Sequence, residues 1–358
     1  MPKIERIAFE ITDNTNDMPD ETLDRWSPSG KIEVWDNYSS TNRGVSGAKV
    51  RAKRWFTVKT AFTNSTGNYS ISHNFGGSVD FSIVWESGDY DIRDGNWGQA
   101  TYNGPNNVGS VGWNATITSG ASWIHAHVQR AADYYYYHNA FGLKKPTDNG
   151  FWTKKLKIAV KDKDNRAFFA PALRWLTFPE IMVYKGSIYT NPVTGATITL
   201  TNDSRRLYQT TIHEICHASH WDMVGHSRFQ QTDNKVVESW ALGVASQLTN
   251  NLYGAGSSID GQSADFDALS ADFEGVYLPV VIDLIDNYNQ RAANSGNINF
   301  PIDRTNGYTL EQIEDALDGP NGTNGAKTLT QWRDNLKSQT ANPTESFVDE
   351  LFDNYINL

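Results

Sequence analysis

Between Lys31 and Trp85, apolar and polar positions alternate in short runs. Examples are Lys31-Ile32-Glu33-Val34-Trp35, Ala48-Lys49-Val50-Arg51-Ala52, Asn68-Tyr69-Ser70-Ile71 and Asp80-Phe81-Ser82-Ile83-Val84, with Gly, Asn and Ser clusters between them. A period of two bounded by turn residues predicts strands, and several short strands in succession predict a small all-β sandwich. Helical spacing begins near Ser122 and runs to Phe141, where Gly142, Lys144, Lys145 and Pro146 form a stop signal. Residues 156–160 and 180–184 are strand-like, and Ser187 to Leu200 reads as a hairpin turning at 191–195. Beyond residue 203 the pattern is helical, over 204–221, 234–250, 264–289, 309–318, 328–338 and 344–355. The organisation expected is an N-terminal arm at 1–26, a β-sandwich at 27–90, a Gly/Asn-rich connector at 91–120, and an α+β domain at 121–358 in which a small sheet packs on helices.

The chain has 358 residues, enough for two domains. Acidic residues outnumber basic ones 41 to 31, a net charge of −10 without long like-charge blocks, which disfavours a nucleic-acid or anionic-membrane partner. No apolar run approaches the roughly 18 residues of a membrane span. Cys216 is the single cysteine, so no internal disulfide framework exists and the thiol is expected to be packing. Abundant aromatic, Asn, Gly, Ser and Thr residues fit a secreted, periplasmic or cell-surface protein, although the first residues lack a leader pattern. A monomer is expected.

The candidate chemistry centres on Thr211-Ile212-His213-Glu214-Ile215-Cys216-His217, which contains H-E-x-x-H. On a helix the two histidines stand one turn apart on one face, so both imidazoles can reach one metal. Zinc suits two neutral imidazoles and a carboxylate with one tetrahedral position left for water. Glu214 lies beside that position as general base. Thr201-Asn202-Asp203-Ser204 offers N-cap residues, and Leu207, Thr211, Ile215 and Ala218 form a core-facing stripe.

Three residues compete for the third ligand position. His220 lies about 10 Å along the axis from His213 on the same helix, too far to share an ion unless the helix breaks. His226 follows Gly225, but metzincin spacing would require a glycine at 220 and a ligand at 223, where His220 and Met223 stand. Glu238 lies on the next predicted helix, behind Thr232-Asp233-Asn234 as cap candidates, and is the best third ligand. His220 and His226 are expected at the surface or beside the ligands, and His125 and His127 in packing.

Several of these residues resemble known families. Gly47-Ala48-Lys49-Val50 and Thr63-Asn64-Ser65-Thr66-Gly67-Asn68-Tyr69-Ser70-Ile71 resemble the transthyretin-like domain that accompanies many carboxypeptidases and surface proteins. The spacing from His217 to Glu238, with Glu238-Ser239-Trp240-Ala241, is similar to the glutamate helix of gluzincin metallopeptidases of the aminopeptidase type. His125-Ala126-His127 through Gly142 resembles the long helix that backs the zinc site in thermolysin-like and fungalysin-like peptidases. Asn165-Arg166-Ala167-Phe168-Phe169 and Met182-Val183-Tyr184-Lys185-Gly186 are similar to their substrate-pairing edge strand and the strand after it. The resemblance implies a zincin-like catalytic domain, with Asn165 and Ala167 contacting a peptide that binds by strand addition.

The chain also departs from that pattern. Leu242 stands where a thermolysin-type enzyme has an aspartate bonded to a zinc histidine, and no histidine follows His226 to stabilise an oxyanion. A tyrosine hydroxyl could take that role, as in aminopeptidase-type gluzincins. Tyr308, in the loop Asn306-Gly307-Tyr308 before a helix, is the first choice and Tyr277 the second. The expectation is a zinc-dependent hydrolase of peptide or protein substrates, endopeptidase or aminopeptidase. The alternative is a surface binding or adhesion protein whose zinc domain is structural, which would have no need of Glu214.

Overall fold

Alternation along Ser29–Asp36 (β1) buries Ile32, Val34 and Asp36 and turns the residues between them outward, as a strand with one core-facing side must. The computed structural model describes residues 6–7, 10–12, 25–106, 108–109, 111–147, 155–175, 178–190, 197–259, 261–271, 275–323 and 325–358, so most of the expected arm lies outside the described residues. The protein is α+β and divides into two units, residues 1–130 and 131–358.

In the first unit, one sheet places β1 between Thr41–Gly44 (β2, antiparallel) and Ala115–Ile117 (parallel), with Asn68–Ser70 paired to the start of β1. A second sheet runs from Thr57–Phe62 through Lys49–Arg54 and Asp80–Val84 to Thr101–Asn103, every pair antiparallel. Val50, Ala52, Phe81, Ser82, Ile83 and Val84 are among its buried positions. Two of these strands, Thr101–Asn103 and Ala115–Ile117, fall in the stretch read as a connector; they are only three residues long, too short for a periodic signal. Asp36, fully buried, is offset by Arg43 at 3.0 Å and Arg130 at 3.6 Å.

The helix expected over 122–141 spans Gly120–Tyr137 (α1), and the division between units falls inside it. A short 3-10 turn at Ala140–Gly142 follows. His125 and His127 are buried here, with burial pushing them down to about 4 and about 3, so both are neutral packing groups as expected.

In the second unit, Ile181–Thr190 (β3) organises the sheet: Leu156–Asp164 (β4) runs parallel along one flank. Phe168–Phe169 (β5) and Thr197–Thr201 (β6) pair antiparallel along the other, which makes β5 an edge strand. The hairpin joins Ser187 to Leu200 as expected, while its turn at 191–195 lies outside the described residues. Helices follow at Ser204–Val224 (α2), His226–Phe229 (α3), Asn234–Tyr253 (α4), Phe266–Ala271 (α5), Val280–Ile285 (α6), Gln290–Ala293 (α7), Leu310–Asp318 (α8), Leu329–Gln339 (α9) and Val348–Ile356 (α10).

The expected helix at 264–289 is instead two short ones. Gly275 takes a left-handed φ of 72°, and Pro279 has no N–H to continue a helical ladder, so α6 begins afresh behind it. α4 and α6 then pack closely at Gly243, where a Cβ would come within 2.2 Å of the Val281 side chain. Among the described residues, no helix is long and apolar enough to cross a membrane.

Candidate metal centre

The site is assembled on α2 and α4. Asp203 caps α2, its carboxylate accepting the Arg206 N–H at 2.7 Å, and Leu207, Thr211, Ile215 and Ala218 are all fully buried. That anchored stripe leaves His213 and His217 on an adjoining face, with ring centroids 4.6 Å apart and planes at 88°. Asp233 caps α4 by accepting the Lys235 N–H, which fixes the start of the helix that carries Glu238.

His213 Nε2 lies 3.0 Å from Glu238 Oε2 and 3.0 Å from His217 Nε2, and the third edge, His217 Nε2 to Glu238 Oε2, is 3.3 Å. Three ligands at about 2.0–2.1 Å from a tetrahedral zinc would stand about 3.4 Å apart, so the triangle is of the right size and needs little adjustment. Among the described residues, these three form the one His/Cys/Asp/Glu group able to hold a metal. Burial acts to raise the Glu238 carboxyl, but the two imidazoles outweigh it and hold the group well below the usual carboxylate range, in the anionic form a cation needs.

Glu214 is displaced the other way. Only 5 % exposed, its carboxyl is pushed up to about 7, by burial first and by Glu238 second, against the lowering pull of His213 and Arg166. Its Oε2 is buried with no hydrogen-bond partner, and neither has the buried Nδ1 of His217. The second orphan agrees with Leu242 standing where a supporting aspartate was sought.

The triangle opens into a cleft of about 450 Å³. Glu214, Asn165, Arg166, Ala167 and Tyr277 line it on one hand, and Phe168, Phe169, Phe229 and Val237 give it an apolar wall. Asn165 and Ala167 therefore stand beside His213, Glu214, His217 and Glu238, just ahead of edge strand β5. Tyr308 does not line the cleft. Its loop is tied to the end of α6 by its N–H to the Leu284 carbonyl at 3.1 Å, and its side chain is buried. A loop position just ahead of a helix was a poor guide, because that loop is bound to the end of α6.

Tyr277 is at the site, its ring centroid 6.0 Å from that of His213. Ser239, the residue after Glu238, holds it there: the Ser239 hydroxyl donates to the Val276 carbonyl at 3.2 Å and accepts the Leu278 N–H at 3.1 Å, gripping the chain on both sides of the tyrosine. Burial and the nearby Glu238 charge raise the phenol, leaving it a neutral donor. Arg166 Nη2 donates to the Tyr277 hydroxyl at 2.9 Å. Neither Arg166 nor Ser239 was singled out from sequence, although Arg166 lies between two residues that were.

Of the two places expected for His220, it takes the one beside the ligands: it is fully buried one turn past His217, its ring 5.2 Å from Phe229 and its group pushed down to about 3 by burial. α2 continues past it to Val224, so it cannot swing back to the metal triangle. His226 is exposed at the start of α3. Cys216 is buried against Tyr135 and Glu314, a packing thiol as expected.

No protein-family model matches the chain, and no curated protein does. Among solved structures, a 9R-lipoxygenase from Cyanothece is similar over 38 % of this chain and 29 % of its own, at 11 % identity and a TM-score of 0.16. So slight a likeness carries no argument about fold or function.

Proposed function

We propose that the protein is a zinc-dependent peptidase whose second unit is a zincin-like catalytic domain of the gluzincin kind, preceded by a transthyretin-like unit. The observation that carries the proposal is the convergence of His213, His217 and Glu238 on one point beside Glu214, in a cleft large enough for a peptide side chain and backbone. Two neutral imidazoles and one carboxylate are a zinc donor set, and the bound ion would supply a Lewis acid and a water of lowered pKa.

The remaining roles belong to the chain. Glu214 takes the proton of the attacking water and passes it to the leaving amine. A group held near neutrality can do both, since it neither grips nor refuses the proton too strongly. Tyr277 donates its O–H to the oxygen that becomes negative when the peptide carbon turns tetrahedral. The segment 165–167 and edge strand β5 give an extended peptide backbone groups to pair with, and the phenylalanine wall excludes water around one substrate side chain.

The test is zinc content and peptide-library cleavage for the parent and Glu214→Ala. The expected result is a zinc-bearing parent that cleaves peptides and a zinc-bearing variant slower by about 10²-fold or more. A parent that holds zinc and cleaves nothing would favour a binding protein with a structural metal instead.

A further inference from the structure

We infer that Arg166 is a positioning residue for this reaction, fixing and polarising the Tyr277 hydroxyl that donates to the oxyanion. The inference rests on the peptidase reading and extends it. Tyr308 does not line the cleft, whereas Tyr277 does and carries a cation on its phenol beside the His213, His217 and Glu238 triangle.

The guanidinium of Arg166 donates through Nη2 to the Tyr277 oxygen at 2.9 Å. A phenol oxygen that accepts a charge-assisted hydrogen bond releases its own proton more readily into a second one, so the bond strengthens Tyr277 as a donor at the moment charge develops. The planar fork of the guanidinium also fixes where the oxygen lies, which a flexible ammonium would do less well. The ring and loop are already held from the other side by Ser239, so Arg166 acts on a residue with little freedom left.

The backbone of Arg166 is itself fixed. Asn165 Oδ1 accepts the Arg166 N–H at 2.8 Å, and the Asn165 N–H donates to the Gly186 carbonyl of β3 at 3.0 Å. The segment proposed to seat the peptide backbone and the hydroxyl proposed to meet its carbonyl oxygen are thus joined through one side chain. A substrate that settles along 165–167 finds Tyr277 already aimed.

The test uses the zinc-loaded full chain with a quenched fluorescent peptide taken from the cleaved library. Arg166→Ala, Arg166→Lys, Tyr277→Phe and the double variant Arg166→Ala/Tyr277→Phe are compared with the parent and Glu214→Ala. Tyr277→Phe should lower kcat by roughly 10²–10³-fold, the loss expected for one oxyanion donor. Arg166→Ala should lower kcat by about tenfold with KM within about twofold, and should add less than about twofold once the Tyr277 hydroxyl is gone, as members of one hydrogen-bonded pair do.

Arg166→Lys should recover part of the loss and carries the test if Arg166→Ala does not fold. A phosphinic peptide, whose phosphinyl oxygen stands where the oxyanion would, should bind more weakly in the same rank order. Equal losses from Arg166→Ala with and without the Tyr277 hydroxyl would overturn the inference, as would a KM effect with kcat intact. Either result on an active parent leaves the peptidase reading standing. A zinc-loaded parent that cleaves nothing overturns both.

Discussion

Glu214 and Glu238 lie on facing helices and are displaced in opposite directions, one towards neutrality and one deep into the anionic range. The difference is partnership: Glu238 touches both imidazoles, while Glu214 Oε2 is buried without a partner. Two carboxylates with separated tendencies are what a metal ligand and a proton carrier require. The two carboxylates and the two histidines were legible in the sequence because helical spacing alone sets His213 and His217 on one face and cap residues mark the start of the helix that carries Glu238. Arg166 and Tyr277 were not, or only as a second choice, because both sit in loops whose paths depend on remote contacts such as Ser239.

A separate carboxyl gives a pH prediction away from the site. Glu314 is buried on α8 and pushed up to about 7, by burial first, against the hydrogen bond from the Lys144 N–H and the Lys144 charge, with Asp315 and Asp318 adding to the rise. A carboxyl raised in the folded state favours its protonated form there. Its contribution to stability is therefore fullest below the ordinary value of 4.5 and is lost as pH rises through about 7. Glu314→Gln removes that loss, so the melting temperature of the variant should gain on the parent by roughly 5 °C between pH 5 and pH 8. A difference between the two proteins that stays constant across that range would refute the assignment.

At the scale of elements, α2 and α4 were well marked, each with an aspartate cap ahead of a buried stripe, and their starts agree with the sequence. Thermal melts should show Asp203→Ala losing about 1 kcal/mol, the usual worth of an N-cap. The helix expected over 264–289 is broken because Gly275 takes a left-handed φ and Pro279 has no N–H for the helical ladder. Its shortness has a consequence for the site, since the break frees Val276, Tyr277 and Leu278 to lie against Ser239. Close packing of α6 on α4 keeps that arrangement. Gly243→Ala, which would drive a methyl into Val281, should cost about 1–3 kcal/mol and lower kcat, whereas a well-tolerated alanine would show that α6 is loosely seated.

Across the whole molecule, the α+β character and the order of strands before helices followed from hydrophobic period, while the three-residue strands beyond residue 100 carried too little period to be seen. A metal that binds the folded chain and not the unfolded one raises stability by mass action, by about 4 kcal/mol at a thousand times its Kd. Melting temperature should therefore climb with added zinc and fall back with chelator, and Glu238→Gln should need about tenfold more zinc or above for the same rise.

The measurement that bears most directly on the centre is zinc bound per chain after dialysis, for the parent, Glu214→Gln and Glu238→Gln. One zinc per chain is expected in the parent and in Glu214→Gln, with affinity reduced by about tenfold or more in Glu238→Gln. A parent that retains no zinc, or a Glu238→Gln protein that holds it as tightly as the parent, would contradict the His213, His217 and Glu238 centre.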